Sequence, residues 1–384
     1  MRRPRLVLAV DGGNSKTDVA VVTEDGRVLA TARAGAFAPQ REGVPAAVDV
    51  IAAAVTALPP AALPPAALPP AGASPGRHGP FDLVSACLAG ADLPVEEEAL
   101  ARELAARGLG TDVVVRNDTF ALLRAGASAP WGVAVVCGAG INAVGVSPGG
   151  AVARFPALGR VSGDWGGGHA LGEEVLWHAA RAEDGRGAPT ALAGLVTAHF
   201  GTPTVEEVVL ALHFGRLDEQ RLHELAPGVF AAAAAGDAVA RSLVERQAGE
   251  VAIMAEVCLR RLGLLERPAE VVLGGGLLTA RDPLMTSLLE REFAARAPLA
   301  EPVVADVPPV MGAALLGLDH LAAREPAARD AAAREASTRE AAVPKPSAPE
   351  AVEIRLRAHY SPGYRAGRRP AGAPEAPSPA PAVP

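Results

Sequence analysis

The segment from residue 6 to residue 22 reads LVLAVDGGNSKTDVAVV, and it decides how the rest of the chain is interpreted. An apolar run ends at Asp11, and a turn rich in glycine and polar residues leads into a second apolar run. The turn consists of Gly12, Gly13, Asn14, Ser15, Lys16 and Thr17. Two strands joined in this way can bind a phosphate, because backbone N–H groups approach a ligand closely where no Cβ intervenes. A β-hairpin without any ligand explains the same segment, so the choice depends on the remaining sequence.

Length and composition limit the classes of protein to consider. The chain has 384 residues, of which 49% are hydrophobic, which is enough for two domains with separate cores. Its formal net charge of −7 argues against nucleic acid as a main partner. The three cysteines, Cys87, Cys137 and Cys258, are far apart and lack C-x-x-C spacing. We therefore expect no disulfide framework or zinc site, and a cytoplasmic protein.

One uncharged stretch, residues 50–75, is long enough to span a bilayer. Within it, residues 58–70 read LPPAALPPAALPP. Proline removes backbone donors and clashes inside helices, so the stretch predicts a polyproline-like linker and no membrane span. We interpret residues 58–80, approximately, as an insertion.

The order of predicted elements indicates a mixed α/β fold in two parts. Three strands are followed by strand–helix units as far as residue 127, and a strand–turn–strand–turn–strand pattern restarts after Trp131, which suggests internal duplication. We predict an N-terminal domain over residues 1–127 and a C-terminal domain over 128–324. Residues 325–384 are rich in Ala, Pro and Arg and predict a disordered tail. Alternating apolar residues between Val352 and Tyr360 have the period of a strand, which we do not expect to be ordered.

Three glycine turns, each preceded by an apolar strand, carry a wider pattern. They lie at residues 12–14, 138–140 and 274–276, and Asn117-Asp118 lies between the first two. Six motifs follow in order: DGGNSKTD at 11–18, RNDTFALLRAG at 116–126, CGAGINA at 137–143, SGDWGGGHALG at 162–172, VVLGGGLL at 271–278 and PPVMGAALLGL at 308–318. Together they resemble the actin-like ATPase and sugar kinase superfamily, and more narrowly the BadF/BadG/BcrA/BcrD ATPase family, to which N-acetylglucosamine kinases belong.

The resemblance covers residues 5–323, except for the proline-rich insertion. It implies a two-domain actin-like ATPase fold, a duplicated ribonuclease H-like unit with a cleft between the domains. It also implies an ATP-dependent carbohydrate kinase that uses Mg²⁺.

Residue roles follow from matching positions in the family motifs. Asp11 would hold Mg²⁺, largely through water, and Asp118 would be the general base that accepts the proton of a sugar hydroxyl. Asn117 and Asp164 would join Asp118 in contacting the sugar. The nucleotide would contact three sets of residues: Gly12, Gly13, Asn14, Ser15, Lys16 and Thr17; Gly138, Ala139, Gly140, Ile141 and Asn142; and Gly274, Gly275 and Gly276.

Each of these assignments has a simpler structural alternative. Asp118 could cap the helix that follows it, since Asn-Asp-Thr before a helix needs no catalysis. Asp164 could stabilise a glycine-rich turn, and residues 274–276 could form a flexible turn before a helix.

The substrate class stays open between two amino sugars. Family members that phosphorylate N-acetylglucosamine carry an asparagine in a Gly-x-x-Asn-Pro stretch, and residues 35–39 read GAFAP, with Ala38 at that position. We therefore expect an altered sugar pocket that accepts N-acetylglucosamine or glucosamine. Alternative functions are an ATPase that activates a partner enzyme and a nucleotide or sugar sensor without turnover. The expected partner is a small sugar rather than nucleic acid or a membrane, and a homodimer remains open.

Overall fold

The computed structural model describes residues 3–59, 80–334 and 349–360. These residues form two mixed five-stranded sheets, the first in the order β3-β2-β1-β4-β5. Strand β1 pairs antiparallel with β2 and parallel with β4, and β5 continues the parallel side. The strands of this sheet are β1 (Leu6–Gly12), β2 (Thr17–Thr23), β3 (Val28–Ala34), β4 (Phe81–Leu88) and β5 (Gly110–Asn117).

The second sheet repeats this arrangement in the order β10-β9-β6-β7-β8. Strand β6 pairs antiparallel with β7 and parallel with β9, as β1 does with β2 and β4. The strands are β6 (Gly132–Cys137), β7 (Ile141–Val146), β8 (Val152–Arg154), β9 (Ala269–Gly274) and β10 (Ala300–Val304). The repeat agrees with the predicted duplication and confirms the predicted α/β fold class.

Helices cover both faces of the first sheet. Leu8 and Val10 of β1 pack in one core cluster with helices α2 (Val44–Thr56) and α3 (Pro94–Ala106). Val7 and Ala9 face the opposite cluster, which includes the last long helix, α12 (Pro309–Arg334). This alternation follows from the two-residue period of a strand buried on both faces. The helices of the first half are α1 (Pro39–Glu42), α2 (Val44–Thr56), α3 (Pro94–Ala106) and α4 (Asp118–Gly126).

The helices between β8 and β9 pack into one large core with the inner face of the second sheet. They are α5 (Gly167–Glu183), α6 (Leu192–Phe200), α7 (Val205–His213), α8 (Ala226–Ala234) and α9 (Ala238–Arg261), and they are followed by α10 (Gly276–Thr279) and α11 (Pro283–Arg296). Helix α4 lies between the two halves, since Leu122 and Leu123 share a cluster with Ala134 and Val272 of the second sheet.

The end of the chain differs from the prediction. Helix α12 (Pro309–Arg334) packs on the first sheet and on α4, although we placed residues up to 324 in the second domain. We also predicted a disordered tail from residue 325, whereas α12 continues to Arg334 and residues 350–360 form helix α13 (Glu350–Tyr360). Helix α13 is held by the fully buried Leu356 and by the buried Arg357. Most of the proline-rich insertion and the rest of the tail lie outside the described residues.

No helix in the described part of the chain is both long enough and apolar enough to cross a membrane.

Candidate active site

A cleft of about 1310 Å³ lies at the carboxyl ends of the central strands of both sheets. Ligands of open α/β sheets bind at this edge. Fourteen of the predicted site residues line the cleft: Asp11, Gly13, Asn14, Ser15, Lys16, Asn117, Asp118, Gly138, Ala139, Gly140, Ile141, Asn142, Gly275 and Gly276. The four others, Gly12, Thr17, Asp164 and Gly274, do not line it.

The first glycine turn, residues 12–17, is closed by a hydrogen bond from the Gly13 N–H to the Lys16 carbonyl, 2.9 Å long. Gly12 serves packing, because a Cβ there would lie 2.7 Å from a methyl carbon of Leu88. The buried Thr17 hydroxyl donates to the Gly35 carbonyl at 2.9 Å. The ends of the turn thus support the fold, and its tip faces the cleft.

Lys16 also reaches the cleft, but its ammonium already has a partner. Its Nζ lies 2.5 Å from an oxygen of Asp18, which also receives two hydrogen bonds from Arg33. Burial alone would raise the pKa of Asp18, yet these contacts hold it below its usual value. Because Arg33 can neutralise Asp18 without help, Lys16 can turn towards an anion without leaving a carboxylate unpaired.

Asp11 lies at the end of β1 and faces the cleft. Burial, followed by the nearby charge of Asp118, raises the pKa of its carboxyl to about 7. Asp11 and Asp118 both lose solvent and lie close to each other, so ionising both is unfavourable. A bound cation would stabilise their ionised forms, and the pair therefore favours cation binding. The described residues contain no group of three or more His, Cys, Asp or Glu side chains arranged to hold a metal. A cation here would therefore need other ligands as well.

At the end of β5, the capping role and the candidate catalytic role belong to two different residues. Asn117 is the N-cap of α4, and its side-chain oxygen accepts hydrogen bonds from the Thr119 N–H at 3.1 Å and hydroxyl at 2.5 Å. Asp118 is the first helical residue, and its carboxyl lines the cleft. Burial raises its pKa to about 6, although backbone hydrogen bonds lower it. The simpler explanation of Asp118 as a cap therefore applies to Asn117 instead.

Asp92 is a cleft residue that the sequence analysis missed. One of its oxygens accepts hydrogen bonds from the amide of Asn117 at 2.8 Å and from the amide of Asn142 at 3.1 Å. Burial and the charges of Asp118 and Glu96 raise its pKa to about 7. Since Asn117 belongs to the first half and Asn142 to the second, Asp92 links the two sides of the cleft. Its position just after β4, the parallel strand between β1 and β5, was the signal that could have found it.

The second glycine turn, residues 138–142, is packed from behind by helix α5. The N–H groups of Gly168 and His169 donate to the carbonyls of Gly138 and Ala139 at 2.8 and 2.9 Å. Gly167 has φ +79°, and a Cβ there would lie 2.5 Å from the backbone of Gly140. These contacts use turn carbonyls and leave the opposite side of the turn facing the cleft.

The third turn divides its three glycines between packing and the cleft. A Cβ on Gly274 would lie 2.5 Å from Leu122 of α4. Gly275 has φ +86°, and its Cβ would lie 2.4 Å from the carbonyl group of Cys137. Gly276 is exposed and meets nothing within 4 Å. Only Gly276 therefore has space for a ligand beside its Cα.

Asp164 lies outside the lining of the cleft. Its carboxylate accepts a hydrogen bond from the Ser162 hydroxyl at 2.5 Å, as expected of a residue that stabilises a turn. Its charge still contributes to the raised pKa of Asp92, so the two carboxyls are electrostatic neighbours. A role in sugar contact stays a prediction.

Comparison with known proteins agrees with the family that the sequence motifs resemble. The model of the BadF/BadG/BcrA/BcrD ATPase family matches residues 8–317. The chain belongs to this family. Two curated proteins match about half of it: an N-acetyl-D-glucosamine kinase of Dictyostelium discoideum, 26% identical over 53% of this chain, and an N-acetylmuramic acid/N-acetylglucosamine kinase of Clostridium acetobutylicum, 23% identical over 50%. The matched parts are 65% and 62% of these relatives, less than two thirds of each.

Solved structures share the fold of this BadF-type chain. A proposed N-acetylglucosamine kinase of Chromobacterium violaceum superposes with a TM-score of 0.64 at 24% identity, covering 82% of this chain and 99% of that one. A ROK family glucokinase of Streptomyces griseus, in complex with glucose and AMPPNP, gives a TM-score of 0.52 at 19% identity, covering 81% and 99%. At these identities the likeness establishes the actin-like ATPase fold that the motifs predicted.

Proposed function

We propose that this protein is an ATP-dependent kinase that transfers a phosphoryl group to an amino sugar of the N-acetylglucosamine or glucosamine class. The observation that carries the proposal is the Asp118 carboxyl, which lies in a cleft bordered by three glycine turns while Asn117 performs the capping. The names of the two curated relatives support the same substrate class.

In this proposal Asp118 accepts the proton of the sugar hydroxyl as the hydroxyl oxygen attacks the γ-phosphorus. The bond from the γ-phosphorus to the bridging oxygen of ATP breaks, and ADP leaves. A carboxylate with a pKa of about 6 is ionised at neutral pH and still basic enough to take up a proton in the transition state. The backbone N–H groups of the first and second turns and the Lys16 ammonium would bind phosphate oxygens. Phosphoryl transfer depends mainly on such positioning and neutralisation.

Mg²⁺ fits the donors that are present. Mg²⁺ usually binds through one or two carboxylates together with substrate phosphates and water, so a complete cage of protein ligands is not needed. Asp11 would hold it, and the raised pKa of Asp11 reflects a buried negative charge that a cation would relieve. When bound, the ion supplies charge neutralisation at the phosphates.

The two alternative functions make different demands on the chain. An ATPase that activates a partner through an iron–sulfur cluster needs accessible cysteines, but Cys87, Cys137 and Cys258 are buried. A sensor without turnover needs no ionised base beside the phosphate turns. We therefore favour the kinase.

The test is a coupled assay of ADP release with MgATP and a panel of N-acetylglucosamine, glucosamine, glucose and water. We expect slow ATP hydrolysis in water and strong stimulation by at least one amino sugar, because a closed site excludes water. ATP hydrolysis that is fast and equally rapid with every sugar would contradict the proposal and favour an ATPase that activates a partner enzyme. Binding of ATP and sugar without turnover would favour the sensor.

A further inference from the structure

Helix α13 is an integral part of the first half of the molecule. Leu356 is fully buried in the cluster that includes Val7 of β1 and Met311 of α12. The carbonyl of Val352 lies so close to the turn between β2 and β3 that a Cβ on Gly26 would be 2.6 Å from it. The segment therefore has one defined place on the fold.

Buried charges join α13 to α4 and α12. Arg124 of α4 is 3% exposed and donates to Asp319 of α12 at 2.9 Å and to Glu353 of α13 at 2.7 Å. Burial alone would raise the pKa of Glu353, but Arg124 and Arg357 hold it below its usual value. Each charge in this group has an opposite partner, so removal of α13 would leave Arg124 half-compensated in a buried position.

Arg357 of α13 binds the backbone at the end of α4. Its guanidinium donates to the carbonyls of Ala125 at 2.7 Å, Ala127 at 3.0 Å and Arg124 at 3.3 Å. The last carbonyls of a helix lack partners within the helix and form the negative end of its dipole. A fork of N–H donors with a positive charge satisfies both demands. The residue itself is 5% exposed, so water competes little for these bonds.

The backbone that Arg357 holds is also the junction between the two sheets. Helix α4 begins at Asp118 and ends at Gly126, and β6 of the second sheet starts at Gly132. Just after the helix, the N–H and hydroxyl of Ser128 donate to Glu270 of β9 at 2.6 and 2.8 Å. One short helix therefore carries the candidate base at its first residue, and the link between the halves follows two residues after its last.

We propose that Arg357 is a positioning residue for the site in the cleft: from α13 it fixes the carboxyl end of α4, and through α4 it sets the position of Asp118 relative to the second glycine turn. The catalytic part of this inference rests on the proposed kinase function. Displacement of a reacting group by about 1 Å can cost roughly a hundredfold in rate. Loss of the Arg357 contacts should therefore lower kcat by about tenfold or more. The KM for ATP should change less than about twofold, because the phosphate turns belong to other elements.

The experiment compares Arg357→Ala and Arg357→Lys with Arg355→Ala in the full chain. Arg355 lies on the same helix but pairs with Asp25 at the surface, with both side chains 52% exposed, and thus tests α13 without touching α4. Hydrogen exchange of the amides of residues 121–127 is measured first, without any substrate. Steady-state kinetics with MgATP and the activating sugar follow.

Arg357→Ala should speed exchange at the end of α4 and lower kcat, Arg357→Lys should give intermediate values, and Arg355→Ala should match the wild type in both. A lower melting temperature with unchanged exchange in α4 and unchanged kcat would reduce Arg357 to a purely structural role and overturn the inference. If Arg357→Ala does not fold, the lysine variant decides, and wild-type exchange and kcat in that variant overturn the inference. Because the exchange result needs no substrate, faster exchange in a protein that phosphorylates no sugar would contradict the kinase function alone.

Discussion

The two sheets repeat one strand arrangement, but their glycine turns carry different chemistry. In the first sheet Asp11 is the last residue but one of β1, and in the second sheet Val136 holds the equivalent place in β6. Both residues line the cleft. Burial raises the pKa of the Asp11 carboxyl to about 7, whereas the Val136 side chain cannot ionise, so only the first half offers a charge there near neutral pH. Residues 138–142 contain no charged side chain.

Two other acidic residues of the cleft also belong to the first half. Asp118 comes directly after β5, and Asp92 lies four residues after the end of β4. The second half contributes backbone groups and glycines that pack closely, and its acidic residue in the cleft, Asp282, caps α11. The difference indicates that the two repeats have different tasks, with the uncapped carboxyls near the strand ends on one side and the shape of the nucleotide-facing wall on the other. The predictions below test this division.

The largest effect is expected at the first half. Asp118→Asn should lower kcat by about 10²–10⁴-fold with ATP binding retained, because the base is lost while the glycine turns remain. Steady-state kinetics and calorimetric titration with ATP measure the two quantities. Asp112→Asn, on the same strand β5 but away from the cleft, is the control and should keep full activity. A kcat above about a tenth of wild type in Asp118→Asn would show that the base lies elsewhere.

A smaller effect is expected at the second half, where two adjacent glycines should behave differently. Gly275→Ala should destabilise the fold by about 1–3 kcal/mol, because the residue has φ +86° and its Cβ would meet the Cys137 carbonyl group at 2.4 Å. Gly276→Ala should keep the wild-type melting temperature, since a Cβ there meets nothing within 4 Å. It should nevertheless raise the KM for ATP several-fold if the nucleotide lies beside it.

Thermal denaturation and ATP kinetics separate these two glycine roles. Equal melting temperatures for the two variants would remove the packing role of Gly275. An unchanged KM for ATP in Gly276→Ala would mean that the third turn does not approach the nucleotide.

Local sequence patterns predicted the strands and helices well, but they predicted contacts between distant residues poorly. Strands β1 and β2 form at the two apolar runs of residues 6–22, because such runs depend only on neighbouring residues. The sequence did not distinguish glycines that pack, such as Gly12 and Gly274, from those that face the cleft, since that depends on which side chain lies opposite. Asp92 was missed because its role depends on β4 lying between β1 and β5.

Helix α13 was misread for a related reason. The apolar residues Val352, Leu356 and Tyr360 are four apart, which fits a helix, yet they also satisfy the two-residue period of a strand. What decides the structure is Arg124, more than 200 positions earlier in the chain, which binds Glu353. Composition alone gives no sign of such a partner.

The smallest expected effect is on the stability that the folded protein loses when the carboxyl of Asp92 ionises. Asp92 has a pKa of about 7 in the folded protein against about 3.9 for an ordinary aspartate, so the folded state binds a proton more tightly than the unfolded state. The stability linked to this proton is present below about pH 4 and is lost as pH rises through about 7. Without ligands, Asp92→Asn should therefore melt a few degrees above wild type at pH 8 and nearly with it at pH 5. The asparagine oxygen can still accept the hydrogen bonds from Asn117 and Asn142.

Asp11 and Asp118 have pKa values shifted in the same direction, so Asp92→Asn should reduce the fall in melting temperature between pH 5 and pH 8 without abolishing it. Glu301→Gln, an exposed change on β10, is the control and should leave the pH dependence as in the wild type. A variant that melts below wild type at pH 8 would mean that the Asp92 carboxylate stabilises the link between Asn117 and Asn142 by more than its ionisation costs. The Asp92 carboxylate would then hold the two halves together and would also add negative charge that favours a bound cation.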